Sequence, residues 1–168
     1  HPVTYFGVGD NCAVRGIDPE ISTGCVSFRV KAGDREFFIE LPVEGEHFVC
    51  DALAAVAVGL QLGVEPMKIQ ESLANFRNMA GRQENYEKDG FTIISDCYNA
   101  GPESMAAALK VLGRQKGRKI AVLGDMLELG VCTQAEHYKV GRLAAELADY
   151  LMAFGPNSGR MEKGALTG

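Results

Sequence analysis

Two carboxylates stand where apolar runs stop. Asp96 follows the run FTIIS at Phe91–Ser95, and Asp125 follows IAVLG at 120–124. Short, β-branched apolar runs suit buried strands, and the abrupt change of polarity puts each acid at a strand end. An acid at such a place has two readings. It can satisfy amide groups of the turn or helix that follows. It can instead hold ribose hydroxyls, an amine or a metal-bound phosphate, each of which offers hydrogens or positive charge. Tyr98, Asn99 and Ser104 are polar groups of the loop and first helical turn after Asp96, and both readings are open to them as well. His47 precedes an apolar helix, where an imidazole either caps the helix or takes part in chemistry. Arg82 lies in a polar stretch and is either a solvated charge or a guanidinium set to pair with phosphate oxygens.

These residues need elements to hold them. After Asp96, Pro102 suits a first helical position, Glu103 a first turn and Gly113 a C-terminal stop. Met105, Leu109 and Leu112 fall on one stripe of that helix and can pack on a sheet. The pattern then repeats, with a strand at 119–123, a helix at 133–147 and a strand at 150–154. Thr133 and Glu136 have the spacing of a capping box at the start of the second helix. A β-α-β-α-β order with right-handed crossovers predicts three parallel strands. It brings Asp96, Gly124-Asp125 and Gly155 to one rim, the edge where open α/β sheets bind ligands.

Upstream, strands are expected at 3–6, 26–30 and 36–41, with Ala32-Gly33-Asp34 as a hairpin turn between the last two. Gly7-Val8-Gly9 begins like a dinucleotide fingerprint. Cys12 stands where the third glycine belongs and no helix follows, so a turn after a strand is the better account. The alanine- and leucine-rich segment 48–62 predicts a helix, and its near-uniform apolarity predicts burial on all sides. A second helix at 65–75 is expected to carry Ile69, Leu73 and Phe76 on one face. Residues 77–84 are polar and aperiodic, the best candidate for a linker. The fold class read from this pattern is α/β, a Rossmann-like parallel sheet preceded by a smaller strand-and-helix unit. The expected division is 1–79 and 80–168.

Composition narrows the partners. The chain has 168 residues, 46% of them hydrophobic, and a net charge of -5 without a basic stripe. Neither nucleic acid nor an anionic membrane surface has electrostatic support. The longest apolar run is helix-sized and broken by Gly59 and Gln61, so no membrane span is expected, and no signal peptide is visible. The five cysteines are scattered without a Cys-x-x-Cys pair, which fits reduced thiols and a cytoplasmic location. His1, His47 and His137 are isolated from one another, and no metal site is expected.

The segments GEHFVCDALAAVAVG (45–59), AGRQE (80–84), SDCYNAGPESMAAAL (95–109) and AVLGDMLELG (121–130), with His137 further on, occur in an order and spacing that resembles the Mur ligases of peptidoglycan synthesis. The likeness covers about 45–155. The Tyr-Asn-Ala loop and the Gly-Asp-Met-Leu-Glu-Leu-Gly segment resemble the branch that adds D-alanyl-D-alanine to UDP-MurNAc-tripeptide (UDP-N-acetylmuramoyl-tripeptide). The resemblance implies a UDP-substrate domain, a central ATPase domain and a C-terminal Rossmann-like domain, with ATP and Mg as cofactors. No glycine-rich loop ending in Lys-Ser or Lys-Thr occurs here, so the chain is expected to hold the end of the central domain (1–79) and a truncated C-terminal domain (80–168). No catalytic residue is expected within it, and the fragment alone should be inactive.

Position by position, the resemblance implies nucleotide contacts from His47, Asp51, Arg82 and Asp96. It implies substrate contacts from Tyr98, Asn99, Ser104, Asp125 and Met126, with a hinge at 78–81. Phe48 and Asp51 stand where the family usually has Asn, and an aspartate can accept from an adenine amino group but cannot donate as Asn does. The rival reading is a non-catalytic α/β module that binds a nucleotide or a protein partner. An exposed sheet edge is also expected, through which the fragment pairs with a copy of itself.

Overall fold

The computed structural model describes residues 3–167, which divide into two compact units, one up to Arg77 and the other from Asn78 on. In the first unit, β1 (Phe6–Gly7), β2 (Val14–Ser22), β3 (Cys25–Ala32) and β4 (Arg35–Leu41) form one sheet in that order. β1 joins β2 in parallel, and β2, β3 and β4 run antiparallel. Val26, Phe28 and Val30 are buried while Arg29 and Lys31 between and beyond them are exposed, the alternation of a sheet with one dry face. The dry face meets α1 (His47–Gln61) through Val49, Ala52, Leu53 and Val56, which recur at helical spacing. A side chain at Gly16 would meet Leu53 Cδ1 at 3.0 Å, so α1 rests on bare backbone there. α2 (Pro66–Ala74) adds Ile69 to the same core.

Three upstream expectations change. The strand expected at 3–6 is reduced to the two residues of β1, Phe6–Gly7. β2 was not foreseen, because Gly16 and Pro19 argue against a strand; the sheet takes up Pro19 in a register shift between Ile17 and Glu20, with Asp18 at φ 50°. α1 is not buried all round. Cys50, Asp51 and Val58 are exposed, because the sheet can cover only one face of a helix.

The second unit opens with a hairpin of β5 (Glu84–Lys88) and β6 (Phe91–Ser95), joined across Asp89-Gly90 with φ of 52° and 80°. Both values fit the tight hairpin turn that an Asp-Gly pair favours. β5 reads ENYEK and is exposed throughout, so no apolar alternation announces it, and the expected linker runs into its first residue. There follow α3 (Pro102–Arg114), β7 (Ile120–Leu123), a 3-10 turn at Gly130–Cys132, α4 (Thr133–Leu147), β8 (Tyr150–Ala153) and α5 (Ser158–Ala165). β7 and β8 pair in parallel, from Ile120 with Tyr150 to Leu123 with Ala153. Met105, Leu109, Ala121, Met126, Val140, Ala144 and Met161 make the core.

The expected row of three parallel strands is realised only between β7 and β8. Among the described residues β6 pairs with β5 alone. Its other edge and the near edge of β7 border an open cavity, so their backbone groups stand apart instead of bonding. The capping box at α4 is likewise corrected. Cys132 enters the helix with helical backbone angles straight from the 3-10 turn, which leaves no extended N-cap for a box. Thr133 Oγ1 donates instead to the Gly130 carbonyl at 2.7 Å, and Glu136 pairs with Lys139. α5 was not foreseen.

Candidate functional site

The cavity between β6 and β7 has a volume of about 820 Å³. The two strands form its walls, and Met105, Ala108, Leu109 and Leu112 of α3 supply apolar surface. Asp96, Tyr98, Asn99, Ser104 and Asp125 supply the polar groups. Five residues singled out in the sequence thus border one space, which combines apolar lining with a few convergent polar groups as small-molecule sites do.

The two acids are not equivalent. Asp96 is half-buried at the end of β6, and its carboxylate has no hydrogen-bond or ion-pair partner among the described residues. Asp125 is occupied. Its side chain is 11% exposed and accepts hydrogen bonds from the Asn157 backbone N–H at 3.1 and 3.3 Å and from Asn157 Nδ2 at 3.0 Å. Asn157 is the residue that opens α5, so Asp125 places negative charge at a helix N-terminus. Gly155 lets the loop wrap this carboxylate: its φ is 103°, and a Cβ there would lie 2.6 Å from Asp125 Oδ1. The turn-holding reading of Asp125 is therefore real, whatever else the residue does.

The loop after β6 is tied down at two points. The Tyr98 N–H donates to the Gly81 carbonyl at 3.0 Å, and the Arg82 guanidinium sits 4.4 Å above the Tyr98 ring. Ser104 Oγ accepts from the Gly101 N–H at 3.0 Å and donates to the Gly101 carbonyl at 3.1 Å, closing the first turn of α3. Arg82 itself is exposed, and its guanidinium is stacked with no hydrogen bond among the described residues.

Met126 is a correction. The whole residue is 1% exposed and belongs to the core, and the cavity is lined by its neighbours Gly124, Asp125 and Leu127 instead, so the substrate contact expected of Met126 is not available to it. Below it His137 is wholly buried, with Nδ1 2.6 Å from the Thr133 carbonyl and Nε2 accepting from the Met126 N–H at 3.0 Å. His47 and Asp51 belong to the first unit, one turn apart on α1, with the His47 ring against Phe48 at 4.2 Å and Asp51 exposed. His1 lies outside the described residues. No group of three metal-binding side chains exists among those described, and no helix among them is long and apolar enough to cross a membrane.

Leu127 and Phe154 also line the cavity, and Asn157 anchors Asp125; the sequence reading assigned none of them a role. Asn157 could have been found, because an Asn ahead of a serine after Gly-Pro is a helix-start signal. Phe154 could not, since an aromatic ending an apolar strand reads as core.

Residues 81–167 match the family model for the Mur ligase, glutamate ligase domain. The chain belongs to the Mur ligase family. Within it, the chain is similar to the UDP-N-acetylmuramoyl-tripeptide--D-alanyl-D-alanine ligase of Bacillus subtilis (strain 168), at 33% identity over 165 residues, 96% of this chain and 36% of that ligase. A crystal structure of MurF from Acinetobacter baumannii superposes with a TM-score of 0.88 at 36% identity, over 96% of this chain and 35% of that one. MurF from Thermotoga maritima, crystallised in complex with ADP, gives a TM-score of 0.78 at 27% identity, over 94% and 37%. The resemblance is thus to the MurF branch, and the chain spans about a third of the length of these relatives.

Proposed function

We propose that this chain is part of a cytoplasmic, ATP-dependent ligase that joins D-Ala-D-Ala to UDP-MurNAc-tripeptide in peptidoglycan synthesis. The observation that carries the reading is the 33% identity, across nearly the whole chain, to a ligase named for that reaction. ATP would supply the phosphoryl group that activates the tripeptide carboxylate as an acyl phosphate; attack by the dipeptide amine then forms the amide and expels phosphate. The residues of this chain do not fit the metal or the polyphosphate cradle. They form no acidic or histidine cluster among those described, and the sequence contains no P-loop.

What the chain offers is positional. Asp96 has free acceptor capacity at the cavity, suited to ribose hydroxyls or an ammonium group. Arg82, held over Tyr98, keeps its N–H groups for phosphate oxygens. Tyr98, Asn99 and Ser104 border the same space and serve the dipeptide, with Asp125 and the Gly124 backbone. His47 and Asp51 are the nucleotide contacts of the first unit. Fixing an amine against an activated carboxyl lowers the barrier through orientation and exclusion of water, without a catalytic side chain of its own.

The test is an ADP-release assay on the full-length protein that carries this segment, with ATP, Mg and UDP-MurNAc-tripeptide present. ADP should appear only when D-Ala-D-Ala is added, and the 168-residue chain alone should release none. Full-length protein whose ATP turnover ignores the dipeptide would defeat the ligase reading and favour a binding module.

A further inference from the structure

His137 is the one wholly buried titratable side chain among the described residues that the reading above does not use. Its ring sits between two backbone groups. A carbonyl oxygen can only accept, so the 2.6 Å contact with the Thr133 oxygen puts the proton on Nδ1. Nε2 is then bare and free to accept the Met126 N–H at 3.0 Å. The same nitrogen lies 3.8 Å from Asp125 Oδ1.

The turn 124–126 is consequently pinned from opposite sides. From beneath, α4 holds it through the imidazole; from the side, the start of α5 holds Asp125 through both nitrogens of Asn157. Met126 is the inward residue of this turn, while Gly124, Asp125 and Leu127 line the cavity. A buried amide deprived of its acceptor does not stay where it is, because an unmet donor in a dry interior is costly. Loss of the Nε2 acceptor would therefore shift Met126 and carry its two neighbours with it.

We propose that His137 is a positioning residue for the acceptor dipeptide: through the Met126 amide it sets where the Asp125 carboxylate and the Gly124 backbone stand in the cavity, and so the affinity for a ligand with a free ammonium group. The proposal rests on the reading of the cavity given under Proposed function. Two substitutions separate the two ring nitrogens. Asn places its polar atoms near the Nδ1 position and keeps the Thr133 contact only. Gln reaches the Nε2 position and can still accept from Met126.

In the 168-residue chain, His137→Asn should speed hydrogen exchange at the Met126 amide while leaving the buried Val140 amide of the same helix unchanged, and His137→Gln should keep Met126 protected. In the full-length protein, His137→Asn should raise the KM for D-Ala-D-Ala about tenfold, the worth of one net hydrogen bond, with the KM for ATP unchanged. His137→Gln should stay near wild type. Equal effects of Asn and Gln, or a loss of kcat without a dipeptide-specific rise in KM, would overturn the proposal. So would Met126 exchange that neither substitution moves. If wild-type full-length protein shows no dipeptide-dependent ADP release, the ligase reading fails and takes this assignment with it. Met126 exchange needs no substrate, so it tells that failure apart from failure of the anchor.

Discussion

Asp96 and Asp125 look alike in sequence, each an acid after an apolar strand, yet their surroundings give them opposite energetic weight. Asp125 accepts two donors from Asn157 and is mostly out of water, so removing it leaves the start of α5 without its anion. Asp125→Ala should therefore cost about 2 kcal/mol of stability, within the range for charged hydrogen bonds and helix caps. Asp96 has no partner to lose, and Asp96→Ala should change stability by less than about 0.5 kcal/mol. Urea denaturation of the two variants measures the contrast; equal losses would mean that Asp96 is structural too. An acid that contributes nothing to stability and borders a cavity is the better candidate for ligand contact.

Elements in the second unit are held together by close backbone approach. α4 and α5 meet where Gly141 and Gly164 face each other's backbones, and a Cβ at Gly141 would lie 2.0 Å from the Met161 carbonyl oxygen. Backbone cannot swing aside as a flexible side chain can. Gly141→Ala should force the helices apart and cost about 3 kcal/mol. Gly159 sits within α5 with nothing inside 4 Å of its would-be Cβ, so Gly159→Ala should be neutral or stabilise by up to about 1 kcal/mol through lost chain entropy. Thermal melts should fall for Gly141→Ala and hold or rise for Gly159→Ala. A Gly141→Ala protein as stable as wild type would show that the α4–α5 contact is looser than drawn.

At the scale of the whole molecule, the open feature is the free backbone beside the cavity. β6 and β7 each keep an unpaired edge among the described residues. One face of β7–β8 exposes Val122, Tyr150, Met152 and Phe154 at about 60% each. Unpaired edges and apolar patches favour association with another chain. We expect the isolated 168-residue chain to self-associate with rising concentration, and Val122→Lys to weaken that association. Sedimentation velocity across a concentration series decides this; a monomer at every concentration would remove the expectation.

The sequence alone carried the order of strands and helices from Phe91 to Ala153, since Phe91–Ser95, Ile120–Leu123 and Tyr150–Ala153 are apolar runs separated by two amphipathic helices. It also carried the motifs that mark the Mur ligase family. Local signals of that kind depend on neighbours a few positions away, so they survive in one dimension. Tertiary structure decided the rest. β5 has no apolar face and exists only because β6 pairs with it; β2 bends around Pro19 because β3 holds its register. The gap between β6 and β7, the anchoring of Asp125 by Asn157 across 32 residues, and the burial of Met126 over His137 are all long-range. No spacing rule reaches that far, because which groups meet is settled by how the helices pack on the strands.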